Sequence, residues 1–169
     1  MISWDEAMRL VRNTSKCDHA LMVSSMMEAL AIRLGEDEQE WRLVGLLHDL
    51  DYDEVRSDMS KHGVVSGERL KEKLPRRCLY AIKAHDYRTG FKSKSKLDKA
   101  LIATDTVTIA MERSRKTIRQ LDVAKLREAI EHASVNQPWL RENIFLCTDL
   151  GLDANEFLGL CLASEKKEV

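Results

Sequence analysis

Four of the five histidines in this 169-residue chain fall where a helix would bury them. His19 shares a helical stripe with Met22, Val23, Met26 and Leu30. His48 follows Trp41 and Val44 on one face, with Gly45 one turn before it and Asp49 directly after it. His85 follows Cys78, Ala81 and Ile82, and Asp105 lies with Leu101, Ile102 and Ile109. His62 keeps a less apolar stripe with Val65, but Gly63 and Gly67 beside it permit close helix approach. Any one of these alone reads as an ordinary core residue with a local partner. Together, four His and two Asp on five helical segments read as one centre. Burying such groups costs free energy unless they are paired, and a cation supplies the compensating charge. His132, with Glu128 and Asn136 on its stripe, reads as a surface residue.

Imidazole and carboxylate without thiolate suit Fe, Mn, Zn, Co or Ni. A helix turns Cys17 away from the His19 face, and Cys78 lies two turns from His85. Asp51 and Asp53 are either acids that orient the ligands or solvated loop residues, the second reading being preferred for Asp53.

Charge is distributed unevenly. Residues 1–60 carry net −7, residues 61–119 net +10 and residues 120–169 net −4. A basic middle third points to an anionic partner. Its sharpest part is RTGFKSKSKLDK (88–99), which reads as a mobile basic loop. Lys61, Arg88, Lys92 and Lys94 are the candidates for holding phosphate, Arg88 and Lys92 foremost. No helix-turn-helix signature or aromatic platform supports nucleic-acid binding, so a small anionic substrate is the expected partner.

The elements that must position these groups are helical. Apolar residues make up 44% and charged residues 33%, with 2 Pro and 7 Gly, a mix that favours helices and excludes a disulfide scaffold or long disorder. Caps and periodicity place helices at about 4–13, 16–34, 37–50, 60–73, 75–86, 95–114, 122–134, 138–150 and 154–166. DYDEVRSD (51–58) reads as a polar loop. No repeat or linker divides the chain, so residues 1–169 read as one domain. No apolar run approaches a membrane span, the N-terminus does not read as a signal peptide, and four scattered cysteines suit a reducing compartment. The expectation is a cytoplasmic protein without membrane association. No heptad pattern predicts an oligomer.

The segment LLHDLDYD (46–53), with His19 upstream and Asp105 in ALIATDTV (100–107), resembles the HD-domain superfamily of metal-dependent phosphohydrolases. KHGVVSGERL (61–70) and AIKAHDY (81–87) are similar to the segments that supply further ligands in its binuclear members. The tail DLGLDANEFLGLCLAS (149–164) resembles a subgroup of small predicted hydrolases. The resemblance implies an all-α, single-domain HD-type bundle of about eight or nine helices. Its metal-binding core spans about 16–110 and its C-terminal extension about 120–166. It implies one ion held by His19, His48, Asp49 and Asp105, and a second held by His62 and His85 with Asp49 bridging. The implied activity is hydrolysis of phosphoester or nucleotide-type substrates by a hydroxide between the ions, with His48 and Asp49 at the reacting centre. Tyr52 stands where cyclic-dinucleotide hydrolases of the superfamily carry lysine, and Asp86 follows His85 where they carry a second histidine. Both departures speak against that branch. Two alternatives share the ligand pattern: a mixed-valent di-iron oxygenase, and a non-catalytic, metal-stabilised regulatory protein.

Overall fold

A computed structural model describes residues 1–114 and 116–166 of the chain. Nine helices of six or more residues build the fold among the described residues: α1 (Trp4–Val11), α2 (Cys17–Leu34), α3 (Glu38–Leu47), α5 (Val64–Arg69), α6 (Arg76–Ala84), α7 (Lys96–Ser114), α8 (Val123–Ser134), α9 (Trp139–Phe145) and α10 (Ala154–Lys166). A single turn, α4 (Tyr52–Val55), and short 3-10 segments connect them. No strand occurs among the described residues. The fold is therefore an all-α bundle, as the composition and caps predict.

Side-chain caps set several helix starts. Ser3 accepts from the Glu6 amide at 3.3 Å, Asp37 from Glu40 at 2.8 Å and Asp122 from Lys125 at 2.8 Å. Asp153 accepts from the amides of Asn155 and Glu156 at 2.8 and 2.9 Å. Ser95 and the buried Asp98 form a reciprocal box at the start of α7: the Asp98 amide donates to Ser95 Oγ at 3.2 Å and the Ser95 amide to Asp98 Oδ2 at 3.0 Å. α2 stops at Gly35, whose φ of +69° suits a residue without Cβ.

The core lies between α2, α3 and α7, with α10 over α2 and α9 over α7. Met26, Met27, Leu30, Leu43, Leu46, Leu47 and Leu101 are fully enclosed there. α3 lies close against α2 at Gly45, where a Cβ would sit 2.8 Å from Ser24 Cα. That close approach brings the C-terminal end of α3 to the N-terminal half of α2, so that His48 meets His19.

Four local expectations are corrected. The helix expected over 60–73 shrinks to α5, because His62 is extended (φ −63°, ψ 128°) and Gly63 takes φ +77°. A Cβ on Gly63 would run into the Ile82 carbonyl and the His85 ring. The loop expected at 51–58 contains the turn α4, closed by the amides of Glu54 and Val55 on the Asp51 carbonyl at 2.9 and 3.1 Å and anchored by buried Val55. The basic segment 88–99, expected to be mobile, is tied down. Tyr80 Oη donates to the Lys92 carbonyl at 2.9 Å, and Asp98 takes the Lys94 amide at 2.8 Å. The helix expected over 138–150 is α9 followed by a tighter 3-10 segment, Leu146–Leu150.

Candidate metal centre

Five segments carry the six candidate ligands. His19 lies in the first turn of α2 and Asp105 midway along α7. His48 and His85 are the C-terminal caps of α3 and α6. Asp49 follows His48, and His62 precedes the glycine that opens α5. All four histidines and Asp49 are buried, and Asp105 is nearly so.

Each imidazole commits its Nδ1 to an acceptor on its outer side. His48 and His85 donate Nδ1–H to the carbonyl three residues earlier, Gly45 and Ile82, at 2.7 Å in both cases. His62 donates to Asp51 Oδ1 at 2.9 Å and His19 to Glu112 Oε1 at 3.0 Å. Such bonds fix ring orientation and leave Nε2 as the free nitrogen of a neutral ring. Asp51 is itself held, taking the Ser66 amide on Oδ2 at 2.8 Å and donating its own amide to Ser66 Oγ at 3.0 Å.

The four Nε2 atoms converge on two carboxylates. Asp49 Oδ1 lies 3.0 Å from His62 Nε2, 3.3 Å from His48 Nε2 and 3.5 Å from His85 Nε2. Asp105 Oδ1 lies 2.9 Å from His19 Nε2 and 3.8 Å from His48 Nε2. Two sets of ligand-competent atoms lie within 4.8 Å of one another: His19, His48 and Asp105, and His48, Asp49 and His85. His48 belongs to both, and its Nε2 is buried without a hydrogen-bond partner. An orphaned imidazole nitrogen between two carboxylates is costly as it stands and suits a cation. The residues present therefore fit a divalent transition metal.

The electrostatics agree. Burial alone would lower the pKa of His19, but the hydrogen bonds to Asp105 and Glu112 push it up to about 10. Burial opposes Asp49 and Asp51 at His62 in the same way, and the two acids push it up to about 9. Burial would raise Asp49, yet His48 beside it and the hydrogen bonds from His62 and His85 hold it well below the usual carboxylate range. Asp105 is held low by His19 and His48 against the same burial effect. Without a metal, protons take the cation's place.

A cavity of about 550 Å³ opens onto this cluster. Asp49, His62, His85, Asp105 and Glu112 form part of its lining, and Lys16, Arg88 and Arg113 bring positive charge. Gln137, Trp139 and Asn143 also line it, a volume and lining of the kind that hold small ligands. Asn143 Nδ2 donates to Thr106 Oγ1 at 3.2 Å, joining α9 to α7.

Of the expected phosphate holders only Arg88 lines this cavity, with Nε bonded to Asp86 Oδ1 at 2.9 Å. Lys61 lies outside it, exposed and paired with Asp58 at 2.9 Å. Lys92 is exposed on its loop, and Lys94 sits 4.5 Å over the Tyr80 ring. Sequence reasoning missed Lys16, three residues before His19, and Glu112, seven after Asp105, although helical spacing marks both. Asp51 orients His62, whereas exposed Asp53 binds Ser15 and Arg56. Cys78 is buried away from the cluster and His132 is exposed. No helix among the described residues is long and apolar enough to cross a membrane.

The model of the HD domain matches residues 17–124. Comparison with curated proteins and with solved structures returned no match.

Proposed function

This chain belongs to the HD domain family, and from that premise we propose that it is a metal-dependent hydrolase of phosphoester or nucleotide-type substrates. The observation that supports this most is His48 Nε2, buried and unpartnered where two ligand sets meet. His19, His48 and Asp105 would hold one ion. His85 and His62 would hold a second, with Asp49 shared between the two. A bound divalent ion supplies Lewis acidity to a phosphoryl oxygen and lowers the pKa of a bound water to about 7 in favourable sites.

The chain's own residues do the rest. The Nδ1 partners Gly45, Asp51, Ile82 and Glu112 hold the four rings with Nε2 inward. Asp49 orients the cluster from its centre, and Lys16 and Arg113 bring positive charge to the cavity, Arg88 being paired with Asp86. Trp139 and Asn143 line the same cavity from α9.

The experiment is metal content per chain by elemental analysis of protein purified without chelator. It is paired with hydrolysis of nucleotides and nitrophenyl phosphates under Mn²⁺, Co²⁺ and Zn²⁺. Bound metal with turnover that a chelator abolishes and the metal restores supports the reading. A chain that takes up no metal on reconstitution overturns it. Iron-dependent O₂ uptake without phosphoester cleavage replaces it with the oxygenase alternative.

A further inference from the structure

The cavity's innermost cation is Lys16. Its Nζ lies 3.7 Å from Asp49 Oδ2 and 4.6 Å from the centroid of the Tyr52 ring, and its side chain is only 21% exposed. Arg88 is neutralised by Asp86. Arg113 is bound to the Gln137 side chain and lies 5.7 Å over Trp139. Lys16 alone of the three faces the centre of the ligand cluster. The ring that seats it is itself packed, with its edge against His62 at 5.5 Å between centroids and the Arg56 guanidinium 5.5 Å away.

The two oxygens of Asp49 have different neighbours. Oδ1 faces the Nε2 atoms of His48, His62 and His85, whereas Oδ2 faces Lys16 and, at 3.8 Å, His19. Lys16 is therefore the counter-ion of Oδ2. When a divalent ion neutralises Asp49, the ammonium loses that partner but keeps its partly dehydrated seat on the ring. A half-buried ammonium needs an anion. The open side of the cavity is where one can arrive.

We infer that Lys16, seated on Tyr52, is the central cation of an oxyanion site that binds the phosphoryl group beside Asp49. This rests on the hydrolase reading above. Lys16 binds the substrate's phosphoryl oxygens as a point charge with three donors. Tyr52 is a positioning residue, acting through its ring face.

The test titrates inorganic phosphate into Mn²⁺-loaded protein by calorimetry, with metal content measured on every sample. Lys16→Met is expected to weaken phosphate binding at least tenfold and flatten its salt dependence, with metal content unchanged. Lys16→Arg is expected to keep part of the affinity, and Lys92→Met all of it. Tyr52→Leu is expected to weaken binding severalfold while Tyr52→Phe, which keeps the ring, does not. If Lys16→Met itself loses metal, Lys16→Arg and the Tyr52 pair decide. Phosphate affinity within twofold of wild type in Lys16→Met at full metal content overturns the inference, as does loaded wild type that binds no phosphate. Loss of the hydrolase reading shows separately, as absent metal or as phosphate binding without turnover on any phosphoester. The second result leaves the oxyanion site standing.

Discussion

The Nε2 atoms of His62 and His85 face each other across 3.2 Å, and both lie beside Asp49 Oδ1. Each ring has already committed its Nδ1–H, to Asp51 and to the Ile82 carbonyl. Two neutral rings would thus point lone pairs at one another. A proton or a metal ion must lie between them and Asp49, so the two compete for one place.

That competition sets the pH response. His19 and His62 have folded-state pKa values of about 10 and about 9, above the ordinary 6.5. Their contribution to stability is fully present below pH about 6.5 and is lost as pH rises through about 9 and about 10. Chelator-treated protein should therefore lose thermal stability between pH 7 and 10. The gain in Tm on adding metal should grow over the same range, because fewer protons need displacing. Thermal melts with and without chelator read both trends. A metal-induced gain that shrinks with rising pH would contradict the arrangement.

Asp51 is not proposed as a ligand, yet it holds His62 and the Ser66 amide. Asp51→Asn should weaken metal binding by about 10–100-fold, the usual effect of losing a ligand's outer partner. Asp51→Ala should in addition destabilise the fold by about 1–3 kcal/mol, since it strips partners from buried donors. Metal titration and denaturant unfolding of the two variants separate these effects. Equal metal affinity in wild type and Asp51→Asn would remove Asp51 from the site.

The helix order and the helical stripes that carry His19, His48, His85 and Asp105 were legible because period 3.6 and the caps at Ser3 and Asp153 are local signals. The same spacing rule marks Lys16 and Glu112, but charged residues at helix positions read first as solvated. Asp51 stayed ambiguous because its burial depends on α4 and α5 folding back over it. Trp139 and Asn143 gave no signal at all. Their place on the cavity comes from α9 lying across α7, a tertiary contact with no local signature. The break at Gly63 was hidden for a similar reason, since the neighbours that demand glycine there, Ile82 and His85, lie about twenty residues away.

Gly45 offers a backbone test of how the two halves of the centre are held together. A Cβ there would meet Ser24 Cα at 2.8 Å and the Val23 carbonyl at 2.9 Å. Gly45→Ala should push α3 off α2, destabilise by about 1–3 kcal/mol as overpacking does, and move His48 away from His19. Gly159→Ala is the control. Its nearest neighbour would be Val123 Cγ2 at 3.9 Å, and helix propensity should make it more stable by up to about 1 kcal/mol. Chemical denaturation and metal affinity measured on both variants give the answer. Gly45→Ala with unchanged stability would mean that the α2–α3 contact is looser than the structure has it.

The four cysteines test whether thiolate belongs to the chemistry. Cys78, Cys147 and Cys161 are buried, and Cys17 is half-buried. Burial pushes the thiols of Cys78 and Cys161 far above their ordinary range, with the Glu40 carboxylate adding to the effect at Cys78. Thiols held neutral and enclosed are poor nucleophiles and poor ligands. A maleimide at pH 8 should therefore label Cys17 alone in the native protein and all four once it is unfolded. Metal loading should leave the native pattern unchanged, because the candidate ligands are nitrogen and oxygen only. Mass spectrometry of labelled peptides reads the sites directly. Protection of Cys17 that appears only on metal binding would bring a thiolate into the centre and change the expected metal toward softer ions.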